Sequence, residues 1–212
     1  MALSKKSLQR KREKKKKKRQ IKVSNLSSST VIAYHNWSVH ECWMPIELWE
    51  RGIGQIIIAR KNNQGDMAVG IYLIDTYCLG IKNCFVHLTN TYDYQDMLEH
   101  IRDSCGEMER IEASYAKTLI MKAAEYANQF GFSPHGDFSK ARNLLRGIPI
   151  DESQEFTFGR DGKPFYMQGP HESPADVKKI LKTLEPNQGT DNCHFLVEGS
   201  LPSQLTEDEV GH

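Results

Sequence analysis

Between Gly52 and Lys82 the chain reads GIGQIIIARKNNQGDMAVGIYLIDTYCLGIK. Two apolar runs, Ile56 to Ala59 and Met67 to Ile74, flank a polar loop that closes on Gly65 and Asp66. Such a pair predicts a long antiparallel hairpin. Because its runs are nearly continuous rather than alternating, both faces of the sheet are expected to be covered. The hairpin is therefore the predicted centre of the core.

Upstream, Val31 to Tyr34 and Trp37 to Trp43 read as extended, with Val39, Glu41 and Trp43 on one side and Ser38, His40 and Cys42 on the other. Pro45 is expected at the first position of a short helix through Leu48 and Trp49, which Gly52 stops. Downstream, Cys84 to Leu88 returns as a further strand. Past Asn90 the apolar period changes to that of a helix. Asp93 is expected to cap a helix with Tyr94, Met97, Leu98, Ile101 and Cys105 on one face. A second stripe, Ile111, Tyr115, Leu119, Ala123, Tyr126 and Phe130, ends at Gly131, and both helices are expected on one face of the sheet.

The last third is punctuated by turn signals. Asp137 opens a short helix that Gly147 ends, and FTFGRDGKPFY (156–166) reads as two strands about an Asp161-Gly162 turn. Ser173 and Pro174 begin a helix with Asp176 in its first turn and Val177, Ile180, Leu181 and Leu184 inward; Cys193 to Val197 reads as a last strand. These readings predict an α+β fold, a mostly antiparallel sheet around the central hairpin with helices packed on it. The expected single domain covers residues 31–198, between a disordered Lys/Arg-rich arm and linker (1–30) and a disordered acidic tail (199–212).

A formal net charge of +1 hides two opposite halves. Residues 1–22 hold twelve Lys or Arg and one acid, a balance of +11, and the other 190 residues hold 16 basic and 26 acidic groups, a balance of −10. The basic run, Lys5, Lys6, Arg10, Lys11, Arg12, Lys14, Lys15, Lys16, Lys17, Lys18, Arg19 and Lys22, suits phosphate contacts without base selection. No aromatic residue interrupts it to stack on bases. A solubilising arm, or one that lies on the acidic body, is the plainer alternative.

Several classes are set aside. No run of about 18 apolar residues would span a membrane. No apolar segment follows the basic N-terminus, as a secretory signal requires, so a cytoplasmic location is expected. Cys42, Cys78, Cys84, Cys105 and Cys193 form no C-x-x-C pair and read as reduced thiols filling the core. There is no G-x-x-x-x-G-K-[ST] and no G-x-S-x-G, and Gly52-Ile-Gly54 leads into a strand, whereas a dinucleotide site needs a helix there. Neither cofactor nor metal is expected.

Three polar groupings are the candidates for chemistry. Asp75, at the exit of a buried strand, could join His40, Glu41 and His87 in a metal or acid/base site; otherwise it accepts hydrogen bonds from turn amides. His135 and Asp137 share a turn after the long helix, where Asp137 also suits an N-cap. Lys163, Tyr166 and His171 could surround a small anion, against a plain reading as turn lysine, core tyrosine and surface histidine. Trp37, Trp43 and Trp49 offer either an aromatic platform or a core layer.

The blocks GQIIIARK (54–61), GIYLIDTYCLGIK (70–82), GFSPHGDFSKA (131–141) and FGRDGKPFYMQGP (158–170) together resemble a family of uncharacterised bacterial proteins over most of residues 37–197. The resemblance implies a bacterial cytoplasmic protein and carries no activity, cofactor or catalytic residue. The preferred function is a non-enzymatic interaction module whose arm contacts nucleic acid, RNA ahead of DNA, while the body contacts a protein within a larger assembly. The rivals are a small metal-dependent hydrolase or nuclease using Asp75, Glu41 and His87, and an autoinhibited arm released by a polyanion.

Overall fold

The computed structural model describes residues 32–170, 172–188 and 194–196; the basic arm, the linker and the acidic tail lie outside the described residues. Strand β1 (Ser38–Pro45) leads through the one-turn helix α1 (Leu48–Arg51) into the hairpin β2 (Ile53–Lys61) and β3 (Asp66–Asp75), followed by β4 (Gly80–Asn90). Helix α2 (Thr91–Cys105), strand β5 (Met108–Ile111) and helix α3 (Ala113–Gln129) come next. The last described elements are α4 (Phe138–Ala141), β6 (Phe165–Met167), α5 (Pro174–Gln188) and β7 (His194–Leu196). The main sheet has the order β4-β3-β2-β1-β5, and all four of its pairings are antiparallel.

The hairpin sits at the middle of this sheet with residues 56–60 and 67–72 buried, as its unbroken apolar runs predict. Alternate residues face opposite layers. Ile56, Ile58, Ala68, Tyr72 and Ile74 pack with Leu119, Ile120 and Ala123 of α3, whereas Ile57, Ala59, Met67, Val69 and Ile71 pack with Tyr94, Leu98 and Ile101 of α2. The two long helices thus cover opposite faces, not one face as their consecutive stripes suggested. What separates them is β5, a four-residue edge strand paired with β1. Its sequence, MERI, is too short to show a period, so in sequence Ile111 reads as part of the helix stripe. Gly80 lets α3 come this close: a Cβ there would lie 2.7 Å from the Ala123 carbonyl oxygen, and its φ of +63° lies in the left-handed region that favours glycine.

Other local expectations are corrected by identifiable interactions. Residues 32–36 form a 3-10 helix rather than a strand. A β-bulge between Val39 and Glu41 breaks the expected alternation, so Val39 packs with the α3 layer while Trp43 packs with the α2 layer. Pro45 ends β1 opposite Met108 instead of opening α1. Asn90, not Asp93, caps α2: its side-chain oxygen accepts the Tyr92 and Asp93 amides at 3.0 and 3.1 Å, and Asp93 in turn accepts from the Asn90 amide group at 2.7 Å. Asp137 makes no side-chain cap bond to α4. The Asp161-Gly162 turn forms, with φ positive at both residues, but carries only the Arg160–Lys163 bridge. Its outgoing arm instead continues into β6, which pairs in parallel with β7.

One charge lies inside the α3 layer. Arg60 is 4% exposed and burial lowers its pKa, yet its planar guanidinium donates four hydrogen bonds to backbone carbonyls. Nε donates to the Leu144 carbonyl at 2.8 Å, Nη1 to those of His35 and Trp37 at 3.0 and 2.6 Å, and Nη2 to that of Arg146 at 2.6 Å. It therefore ties the 32–37 segment and the 3-10 helix Arg142–Leu145 to the sheet. Arg60→Met strands these carbonyls without donors and is expected to cost about 3 kcal/mol or more in urea unfolding, with Arg60→Lys recovering only part of it because an ammonium lacks the planar fork. A loss below about 1 kcal/mol would show that the fork is dispensable.

Candidate functional site

The turn between β3 and β4, residues 75–80, is where the remaining chain docks. Thr76 donates its amide to the Gly52 carbonyl at 2.8 Å, and the Thr76 and Tyr77 carbonyls accept the Gly159 and Phe165 amides at 2.9 and 3.1 Å. The Tyr77 hydroxyl donates to the carbonyls of Trp49 and Glu50 at 3.1 and 2.7 Å, and its ring lies over Gly52, where a Cβ would stand 2.1 Å from a ring carbon. A third apolar cluster, Cys78, Leu79, Phe130, Tyr166, Val177 and Leu184, joins α5 to this turn.

Asp75 holds the turn in shape. Its Oδ1 accepts the Tyr77 and Cys78 amides at 3.0 and 2.8 Å, and the carboxyl is 6% exposed. Burial pushes its pKa up to about 6, outweighing the turn amides and the nearby Lys82 charge, which pull it down. The carboxyl is therefore a locked structural acceptor rather than an open ligand. Glu41, Ala59, Val69 and His87 lie in one register row across four strands, which puts Glu41 and His87 about 14 Å apart, and Asp75 is six residues, about 20 Å, along β3 from that row. The three do not converge. Glu41 instead accepts from the Tyr94 hydroxyl at 2.8 Å, the His40 ring meets Tyr94 edge-on, and His87 is exposed.

Of the other groupings, only His135 and Asp137 come together, and they do so at the surface. His135 and Asp137 are exposed, with 3.9 Å between His135 Nδ1 and Asp137 Oδ2, and Asp137 also faces Lys140 Nζ at 3.5 Å. Lys163 is exposed and Tyr166 is buried, while His171 and the twelve basic residues from Lys5 to Lys22 lie outside the described residues. Tyr166 has a partner that its local sequence does not announce: its hydroxyl donates to Glu172 Oε2 at 2.6 Å, and Lys82 Nζ reaches Glu172 Oε1 at 2.5 Å. Burial by itself would raise the Glu172 pKa, but Lys82, Tyr166 and the Gly169 amide together hold it below the ordinary carboxylate value. This cluster ties Tyr166, Gly169 and Glu172 to β4. Among the described residues, no group of three or more His, Cys, Asp or Glu side chains could hold a metal ion. Burial pushes Cys42 up to about 12 and Cys84 up to about 11, which keeps both as thiols.

The three tryptophans are divided as well. Trp37 packs edge-on to Tyr34, and Trp43 lies under the Arg102 guanidinium at 4.1 Å on the opposite face of the sheet. Trp49 forms one wall of an open groove of about 560 Å³ with Tyr77 and Tyr115; the chain from Gln154 to Asp161 forms the other. Phe156 stacks on Trp49 at 5.6 Å and meets Tyr115 edge-on at 5.3 Å, and Phe158 stacks on Tyr126 at 5.1 Å. Aromatic faces of Trp49, Tyr77, Tyr115 and Phe156 share the lining with polar groups of Gln154, Glu155, Thr157, Arg160 and Asp161. Carboxylates of Glu155 and Asp161 stand at its rim, while the Arg160 guanidinium lies over Phe165 at 5.0 Å. Sequence reading picked out Trp49 alone, since Tyr115 and Phe156 reach it only through the tertiary fold.

Comparison of the chain with protein-family models, curated proteins and solved structures found no match.

Both turn amides bond Oδ1, the atom that asparagine keeps, so Asp75→Asn should leave stability within about 1 kcal/mol, whereas Asp75→Ala should cost about 2–4 kcal/mol. The folded pKa of Asp75 lies above its unfolded value, so the folded state binds more protons in the interval between them. Its contribution is therefore full below pH about 4 and declines as pH rises toward about 6. Unfolding free energies measured between pH 4 and 7 should show this decline, and the Asp75→Asn protein should lack it. A wild-type stability that rises across this interval, with the rise absent from the variant, would contradict the assignment.

Proposed function

We propose that this protein is a non-enzymatic interaction module, in which residues 1–22 grip nucleic-acid phosphates, RNA ahead of DNA, and the folded body engages a protein. The observation that carries the reading is the segregation of charge, +11 on residues 1–22 against −10 on the rest. The body adds a supporting detail. Asp93, Asp96, Glu99 and Asp103 of α2, with Glu107, Glu109 and Glu112 around β5, are all exposed, and only Arg102 and Arg110 offset them. Such a surface repels phosphates, so a polyanion is directed to the arm. The aromatic groove offers the body a contact surface on the side of the sheet packed by α3, where Trp49, Tyr115 and Phe156 lie against the larger core.

Because phosphate contacts release counterions, affinity for an unstructured RNA should fall by about a thousandfold or more between 50 and 200 mM salt if six or more phosphates are engaged. Deleting residues 1–22 should abolish that binding while leaving the folded body's thermal transition in place. Full affinity in the truncated protein, or affinity indifferent to salt, would overturn the assignment of roles. Fluorescence anisotropy with a labelled homopolymer reads both.

A further inference from the structure

The groove's outer wall has an unused strand edge. Along Gln154–Phe158 exposure alternates, Glu155 and Thr157 outward, Phe156 and Phe158 toward the aromatic cluster, which is the side-chain pattern of a strand. At its ends the segment is fixed by the Gln154 amide on the Asp151 carbonyl at 3.2 Å and the Gly159 amide on the Thr76 carbonyl at 2.9 Å. Between them, the amides and carbonyls of Glu155–Phe158 find no hydrogen-bond partner among the described residues. Two anchored phenylalanines thus hold four residues of backbone in place, with no protein partner for their peptide groups among the described residues, beside the open groove.

We propose that this groove is a docking site for an extended basic peptide from a partner protein, which adds as a strand along Glu155–Phe158. Strand addition supplies donors and acceptors to the vacant peptide groups, a match that a helical ligand, with its backbone already paired, does not offer. The preference for a basic peptide follows from the lining. A lysine or arginine side chain laid in the groove meets its aromatic lining, Trp49, Tyr77, Tyr115 and Phe156, and the two carboxylates that line it, Glu155 and Asp161. The one cation on the wall, Arg160, is drawn aside over Phe165. The balance of −10 on the chain outside residues 1–22 favours the same ligand from a distance. The inference rests on the reading of the body as a protein-binding surface and is independent of whether the arm binds RNA.

The test uses the full chain, isotope-labelled, titrated with the capped hexapeptide VKVKVK, its counterpart VEVEVE, and a VKVKVK methylated at alternate backbone nitrogens. Amides of residues 155–158 and the Trp49 indole should shift with VKVKVK, about tenfold more weakly with VEVEVE, and not at all with the methylated peptide. Glu155→Lys combined with Asp161→Asn, the latter chosen because asparagine tolerates a positive φ, should weaken VKVKVK about tenfold without altering the remaining spectrum. Shifts confined to the acidic face of α2, binding that methylation leaves intact, or no shifts at millimolar peptide would each overturn the proposal. So would groove amides that are protected from exchange in the full chain and lose that protection when residues 1–22 are removed, since the occupant would then be the chain's own arm. Loss of RNA binding on that deletion, by contrast, bears only on the arm.

Discussion

The structure depends on one side-chain oxygen, Asp75 Oδ1, held where water cannot easily reach it. Asp75 stands at the exit of the most buried strand, and its Oδ1 gathers the Tyr77 and Cys78 amides that would otherwise point, unpaired, into the core. An unpaired buried amide is costly, and the carboxyl is held at a penalty visible in its raised pKa, so the two groups need each other. The turn thus formed gives β4 its register beside β3 and offers carbonyls to Gly159 and Phe165. Through those two bonds the aromatic segment 156–158 and strand β6 are brought against the sheet, and the groove exists because they are.

Much of the architecture was legible because it is local. Unbroken apolar runs announced a hairpin covered on both sides, and stripes such as Tyr94, Leu98 and Ile101 announced α2 and its inner face. What could not be read is set by contacts between distant residues. Which face of the sheet each helix takes depends on the four residues of β5, and the sidedness of Val39 depends on a bulge one residue long. Asn90 and Asp93 are both adequate caps in isolation, and only the backbone angles at the end of β4 choose Asn90.

The candidate sites divide in the same way. The plain reading of Asp75 as an acceptor for turn amides needed only its own neighbours, and it is the one the structure supports. Grouping it with Glu41 and His87 required a strand order, and with β2 and β3 lying between β1 and β4, the three fall far apart. The groove left almost no trace in the sequence: Trp49, Tyr115 and Phe156 are separated by 66 and 41 positions and share no spacing rule. The opposite charge of residues 1–22 and of the rest of the chain, in contrast, needs no fold to be seen.

The measurement that bears most directly on this account is native-state hydrogen exchange of the Tyr77 and Cys78 amides, compared with amides of Ile57 and Ile58 in β2. If the Asp75 turn is part of the core, all four exchange only through global opening and respond alike to small additions of denaturant. Exchange of the two turn amides through local fluctuations, orders of magnitude faster than β2 and insensitive to denaturant, would mean that the turn opens independently of the hairpin. The carboxylate would then have to be explained by something other than holding the fold together.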